Sequence, residues 1–267
     1  MNGFQHRPLG SSGLHISALG LGTVKLGRNQ GVKYPTQFEL PSDEQAKALL
    51  SLAWELGINF IDTAPAYGIS EERLGQLLKG EHARWVVGTK TGEEFDNGKS
   101  WFDFSARHTR FSVERSLQRL GRDTLDLVLV HSNGEDVDII ENTDAFTELD
   151  KLKQAGVIKA YGMSTKTVEG GILAARESDC VMVTYNLGHA SEVAVLDECQ
   201  RLNKGVLLKK ALASGHICHT ATQSDPIQAS MNYVFAHPSV SSAIVGTINP
   251  QHLSDNIAKA KRSLQHD

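Results

Sequence analysis

Leu125-Asp126-Leu127-Val128-Leu129-Val130-His131 reads as a strand that is apolar on both faces. That is the pattern of a parallel strand covered on each side by helices. The flanking segments have helical period. Upstream, Ser105 to Leu120 sets Val113, Leu117 and Leu120 on one face and stops at Gly121, a residue suited to a left-handed cap. Downstream, Phe146, Leu149 and Leu152 mark a helix that ends at Gly156.

The same alternation extends both ways. Towards the N-terminus it predicts strands over Ile16 to Gly22, Asn59 to Asp62 and Trp85 to Lys90. A helix between the first two opens on a Ser42/Gln45 capping box, and Ser70 caps the next. Towards the C-terminus it predicts strands over Lys159 to Ser164, Cys180 to Thr184, Val206 to Lys209 and Ser242 to Val245. Helices follow over Val168 to Arg176 and Val193 to Leu202, with two more opened by Asp225-Pro226 and Asn249-Pro250. Val24 to Pro41 reads as a polar loop. Arg7 to Ile16, around Ser11-Ser12-Gly13, predicts an N-terminal β-hairpin. Eight strand–helix units in 267 residues predict an α/β fold, a (β/α)8 TIM barrel, with residues 1–267 forming one domain. No GxGxxG joins a strand to a helix, which argues against a Rossmann sheet.

A net charge of −4, with both signs interspersed, argues against nucleic acid or an anionic membrane as partner. The N-terminal residues carry no apolar leader core, and no later run is long enough to span a bilayer. Cys180, Cys199 and Cys218 are odd in number and lack CxxC spacing, which predicts a reducing, cytoplasmic setting. His216, Cys218 and His219 lie too close together to suit one tetrahedral ion, so no metal is expected.

In a barrel of this kind the chemistry sits at the C-terminal ends of the strands. Three successive strands end in Asp62, Lys90 and His131, and Tyr67 follows Asp62 on the next turn. A phenol with an ammonium nearby, itself held by a carboxylate, makes a proton-transfer group. An imidazole beside it can orient a substrate oxygen. Such a set can polarise a carbonyl and protonate the resulting alkoxide. It contains no hydride source, so it needs a cofactor. Taken singly, each residue is better read as structural: a buried ion pair, a core phenol, a strand-end imidazole. Their convergence on one face favours the site.

These residues lie in stretches that resemble the aldo-keto reductase family: Gly20-Leu21-Gly22-Thr23, Asn59 to Gly68, Ser70-Glu71-Glu72-Arg73-Leu74-Gly75, Gly88-Thr89-Lys90, Ser116 to Gly121, Asp123 to His131, Tyr161-Gly162-Met163-Ser164, Tyr185-Asn186 and Ile244 to Thr247. The resemblance implies a catalytic tetrad of Asp62, Tyr67, Lys90 and His131. Tyr67 would be the general acid/base, with Lys90 lowering its pKa and Asp62 pairing with Lys90. It implies NADP(H), with NAD(H) as the other candidate, bound across the barrel top. Thr23, Asp62 and Ser164 would lie at the nicotinamide end, and Leu212 to Gly215 along the pyrophosphate. Gly246, Thr247, Ile248 and Asn249 would meet the adenosine phosphates through free amides at a helix start. Asn256 would reach the adenine. Three positions depart from the family pattern: Met182 where many members have glutamine, Lys209 where many stack an aromatic ring, and His252 where arginine is common. The chain runs only briefly past its last helix, which implies an open pocket with the Val24 to Pro41 loop as its cover.

The function expected is therefore NAD(P)(H)-dependent interconversion of a small aldehyde, ketone or sugar with its alcohol or oxidised form. The alternative is a catalytically weak, nucleotide-sensing regulatory barrel. A Schiff-base aldolase using Lys90 is a third reading, opposed by the carboxylate that keeps the amine charged.

Overall fold

The computed structural model describes residues 4, 6–32, 34, 37–213 and 225–265. A hairpin of β1 (Arg7–Pro8) and β2 (His15–Ile16) leads into β3 (Leu19–Gly22), β4 (Phe60–Asp62) and β5 (Val86–Thr91). A second antiparallel hairpin follows, β6 (Glu93–Asp96) with β7 (Lys99–Phe102). Then come β8 (Leu125–His131), β9 (Ile158–Ser164), β10 (Cys180–Thr184), β11 (Gly205–Lys209) and β12 (Val240–Val245). The eight strands β3, β4, β5 and β8 to β12 form a closed barrel, with β12 pairing back onto β3.

The helices are α1 (Val24–Gly27), α2 (Asp43–Glu55), α3 (Ser70–Leu77), α4 (Ala106–Leu120), α5 (Asp136–Asn142), α6 (Ala145–Gln154), α7 (Val168–Glu177), α8 (Val193–Arg201), α9 (Pro226–Phe235) and α10 (Pro250–Leu264). Local chemistry sets their ends. Ser42 and Gln45 form the reciprocal capping box of α2. Ser105 accepts from His108 at the start of α4, and Gly121 closes that helix in the left-handed region at φ 63. Asp225 and Asn249 cap α9 and α10 ahead of Pro226 and Pro250. Among the described residues no helix is long and apolar enough to cross a membrane.

Because strand side chains alternate, each strand divides its residues between two cores. Val87, Val128, Val130, Met163, Val181, Leu208 and Val245 face the helices in the larger core. Phe60, Leu127, Leu129, Ala160, Cys180, Met182 and Leu207 fill the barrel interior. Leu9, Leu14 and Ile16, from the hairpin and its turn, belong to that inner cluster. The hairpin thus adds apolar side chains to the filling of the barrel. Asp62 lies two residues beyond Phe60, His131 two beyond Leu129 and Lys209 two beyond Leu207, so the same alternation brings their side chains to the inner face at the mouth.

Asp126 interrupts the apolar run of β8 for a structural reason. Its carboxylate accepts from the Val87 amide (2.9 Å), Arg122 Nη1 (2.7 Å) and Lys159 Nζ (2.7 Å). Three features go beyond the sequence reading: α1 inside the expected loop, the short helix α5, and the β6–β7 hairpin. One assignment is corrected. Ser70 does not cap α3, whose N-cap is Ile69 with no side-chain bond. Its hydroxyl instead donates towards the Thr23 carbonyl (3.1 Å) and Thr23 Oγ1 (2.9 Å) and accepts from Thr63 Oγ1 (3.1 Å).

Candidate active site

At the mouth, side chains from the strand ends and their loops line a cleft of about 520 Å3. The ends of β4 and β5 supply its most buried charges. Lys90 Nζ donates to Asp62 Oδ1 at 2.6 Å and to the Thr63 carbonyl at 2.9 Å. Both side chains are almost wholly shielded, at 1% and 6% exposure, so the pair satisfies itself in a low-dielectric setting.

Tyr67 ends a single 3-10 turn, Pro65–Tyr67, which starts on a proline suited to a first helical position. Backbone contact fastens this turn to α1. The Ile69 amide donates to the Gly27 carbonyl at 3.3 Å. A β-carbon on Gly68, which sits at φ 64, would lie 2.3 Å from that carbonyl, and one on Gly27 would lie 2.3 Å from the Tyr67 carbonyl. Only glycine allows this approach. Gly27→Ala or Gly68→Ala is therefore expected to displace Tyr67, lowering the melting temperature and cutting turnover by more than ~10-fold. Thermal melts and steady-state kinetics check both effects.

The Tyr67 hydroxyl faces the cleft with no hydrogen bond among the described residues. Lys90 Nζ stands over its ring, 4.8 Å from the centroid. Lys90 had been expected to lower the phenol's pKa. Instead burial, followed by Asp62, Tyr34 and Glu93, holds it well above its ordinary value, with Arg28 opposing. Burial is the largest cause, and the Asp62 carboxylate, next in order, adds to it. The resting group is a phenol, a proton donor.

The His131 ring meets Tyr67 edge to face at 6.3 Å. Its Nδ1 lies 2.7 Å from Glu93 Oε2. Burial lowers the His131 pKa, Glu93 opposes, and Lys90 and Lys209 add to the lowering, so the ring is neutral at neutral pH. Glu93 is a cleft residue that sequence reasoning missed. It sits on β6, and nothing in the sequence marked that hairpin. Arg28 is fixed nearby by the carbonyls of Gln30 (2.8 Å), Ala66 (3.0 Å) and Gly31 (3.1 Å), with its guanidinium 3.4 Å from the Phe95 ring centroid.

The expected cofactor residues divide into three groups. Ser164, Lys209, Leu212, Gly246, Thr247, His252 and Asn256 line the cleft, as does Asp62. Lys209 Nζ donates to Ser164 Oγ (3.0 Å) and to the Thr165 carbonyl, and burial brings its pKa down to about 8. Asn256 is 6% exposed, and its amide has no partner among the described residues. A second group serves the scaffold. Thr23 is fully buried and donates to the Asp62 carbonyl at 3.0 Å, and Ile248 packs against the larger core. Asn249 spends its side chain on the amides of Gln251 (2.8 Å) and His252 (3.2 Å). Its carbonyl takes the Leu253 amide (3.0 Å), and Thr247 Oγ1 takes its own (3.1 Å). Of the amides expected to be free, that of Asn249 is thus already bound, as are those of Gln251, His252 and Leu253 further into α10. Gly215, with His216, Cys218 and His219, lies outside the described residues.

The loop after β3 lies against the cleft as expected of a cover, with Val24, Lys25, Arg28, Gly31, Val32 and Tyr34 lining it. Lys25 Nζ stands 4.2 Å from the Tyr34 ring centroid. Met182 lines the cleft as an apolar, buried side chain. Lys210 takes a left-handed backbone at φ 56, and its carbonyl accepts from Asn186 Nδ2 at 2.9 Å.

The family model described as Aldo/keto reductase family matches residues 18–227. The chain belongs to the aldo/keto reductase family. A crystal structure from Pseudomonas aeruginosa assigned to the aldo-keto reductases is 54% identical, with a TM-score of 0.88 over 97% of this chain and 96% of that one. The D-threo-aldose 1-dehydrogenase of a Pseudomonas species is 31% identical over 80% of this chain and 71% of its own. L-galactose dehydrogenase of Arabidopsis thaliana is 36% identical over 61% of this chain and 49% of its own. The holo form of a Bacillus halodurans aldo-keto reductase, 24% identical with a TM-score of 0.79, shares the fold. This aldo/keto reductase is accordingly an oxidoreductase, in a family that uses nicotinamide cofactors, generally NADP(H).

Proposed function

We propose that this chain, acting as one barrel domain, is an NADP(H)-dependent oxidoreductase that interconverts an aldose, or a similar small hydroxylated carbonyl compound, with its oxidised or reduced form. The observation that carries the reading is the convergence of Tyr67, His131 and the Lys90–Asp62 pair on one cleft. The relatives named for sugar oxidation, D-threo-aldose 1-dehydrogenase and L-galactose dehydrogenase, support the substrate class.

The cofactor supplies or accepts the hydride. The residues present fit it. Five cations (Lys25, Arg28, Lys90, Lys209 and Lys210) face three acids (Asp62, Glu93 and Asp255) in the cleft of a chain whose net charge is −4. That excess suits a polyanionic dinucleotide. Ser164 and Lys209 would hold its nicotinamide end, Leu212 its middle, and Gly246, Thr247, His252 and the unpartnered Asn256 its adenosine end. The rest is the work of the chain. Tyr67, a phenol at rest, donates its hydrogen bond and then its proton to the carbonyl oxygen. Lys90, held by Asp62, places a positive charge beneath the ring as the phenol gives up that proton. His131 fixes the same oxygen from the side. Lys90 is not a Schiff-base nucleophile, because its ammonium is spent on Asp62 and the Thr63 carbonyl.

Fluorescence titration should give tighter binding of NADPH than of NADH. With the tighter cofactor, a panel of aldoses, aldehydes and ketones should show turnover. Binding without turnover of any of them would overturn the enzymatic assignment and favour a regulatory, nucleotide-sensing role.

A further inference from the structure

Two of the barrel strands bring a lysine to the mouth, and the two ammonium groups differ in their surroundings. Lys90 is in contact with Asp62 at 2.6 Å. Lys209 makes no ion pair with any described residue. Its side chain starts on β11, in register with Thr184, and spans β10 to reach β9. There Nζ donates to Ser164 Oγ (3.0 Å) and to the Thr165 carbonyl, two neutral acceptors. The β10 residue in register with Ser164 is Met182, an apolar side chain that offers no counter-charge. The acids that act on Lys209 are committed elsewhere. Asp136 accepts from the amides of Lys166 (2.8 Å) and Thr167 (2.7 Å), and Glu192 from that of Thr184 (3.2 Å). The third ammonium hydrogen is left to the cleft, which Lys209 lines.

Hydride exchange needs the nicotinamide ring within about 3–3.5 Å of the carbon whose oxygen Tyr67 and His131 hold. Ser164, to which the Lys209 ammonium is bonded, is the register partner of His131. Lys209 therefore stands one strand away from the reacting oxygen. The ring is a cation when oxidised and neutral when reduced, whereas the phosphates and the adenosine are the same in both forms. We propose that Lys209 makes the site selective for the redox state of its cofactor: its charge repels the oxidised ring and spares the reduced one, so the protein loads NADPH and releases NADP+. This inference rests on the oxidoreductase reading above and deepens it. Tyr67 remains the proton donor and His131 still holds the carbonyl; Lys209 acts on what binds and what leaves. The same repulsion opposes hydride leaving the reduced ring, so Lys209 aids product release and slows transfer. Titration should switch the preference. Burial brings the Lys209 pKa down to about 8; Glu192 and Asp136 oppose this, while Lys210 and Lys166 add to it. His131, which also faces Lys209, has its own pKa lowered and is neutral in that range. The ammonium, and with it the repulsion, is present below about 8 and is lost as the pH rises past it.

The readout is the ratio of the dissociation constants of NADP+ and NADPH, taken by fluorescence titration without substrate. At neutral pH the wild-type ratio should exceed ~5. Lys209→Met keeps the apolar stem and drops the charge, and should bring the ratio down at least ~5-fold; Lys209→Arg should preserve it. Between about pH 6.5 and 9.5 the ratio should fall in the wild type and stay level in both variants. NADP+ should also become a stronger product inhibitor in Lys209→Met. An unchanged ratio in a folded Lys209→Met protein, with both constants moved alike, would mean that Lys209 only attracts phosphate and would overturn the proposal. Should that variant not fold, a wild-type ratio that is flat with pH would overturn it equally. The expected ratios without turnover of any substrate would count against the oxidoreductase reading and leave the role of Lys209 standing, whereas turnover with unchanged ratios would do the reverse. Failure of both forms to bind would overturn the two together.

Discussion

Tyr67→Phe is expected to cut turnover by ~10²- to 10⁴-fold while leaving NADPH affinity within about twofold of wild type. The change deletes one oxygen. That oxygen makes no hydrogen bond among the described residues, so its removal leaves no buried partner unsatisfied and the fold should not suffer. What is lost is the proton donor itself. Its pKa, held high by burial and by Asp62, Tyr34 and Glu93, keeps the hydroxyl protonated across the physiological range. Reduction should accordingly persist to high pH without a limb from Tyr67. Steady-state rates from pH 6 to 10, set beside cofactor titrations of the same variant, provide the check. Turnover in Tyr67→Phe within about threefold of wild type would remove Tyr67 from the mechanism.

The second large effect concerns stability as well as activity. Lys90→Met leaves Asp62 as a buried carboxylate without its ammonium. Breaking such a pair costs about 3–5 kcal/mol, which for a chain of this size lowers the melting temperature by about 6–20 °C. The double variant Asp62→Asn/Lys90→Met removes both charges together and should recover at least about half of that loss. It should not recover activity, because the charge beneath the phenol ring is absent in both. Calorimetry on the two variants, with a shared activity assay, separates the roles. If the double variant melts no higher than Lys90→Met, the cost comes from lost packing of the lysine stem and not from the stranded charge.

The way Tyr67 is held shows what a linear reading misses. The motif Ser70-Glu71-Glu72-Arg73 reads as a capped, acidic helix start, yet in the fold each of its outer members ties loops together. Arg73 Nη1 donates to the Leu26 carbonyl at 2.6 Å, while its Nη2 reaches the Pro41 carbonyl and Asp43 Oδ1 at 2.8 and 2.7 Å. Ser70 binds Thr23, and Glu71 is buried against Thr89 Oγ1 at 2.6 Å. These bonds brace α1, and α1 in turn supports the turn that carries Tyr67.

The sequence by itself determined the barrel. Strand alternation, helix period, capping residues and the Asp-Pro and Asn-Pro starts are local signals, each a property of a few neighbouring residues, and they gave eight strands close to their observed bounds. It also determined that Asp62, Lys90 and His131 meet, because alternation puts strand-end side chains on the inner face of a barrel. Only the tertiary structure decided the rest. Glu93 became the partner of His131 because an inserted hairpin with no strong apolar pattern folds towards it. Thr23 and the Asn249 amide went to the scaffold because nearer acceptors claimed them. The Tyr67 phenol rose in pKa where it had been expected to fall. Its pKa depends on burial and on every charge within reach; the sequence offered the lysine and its Asp62 partner, but not the burial that is the largest cause of the rise.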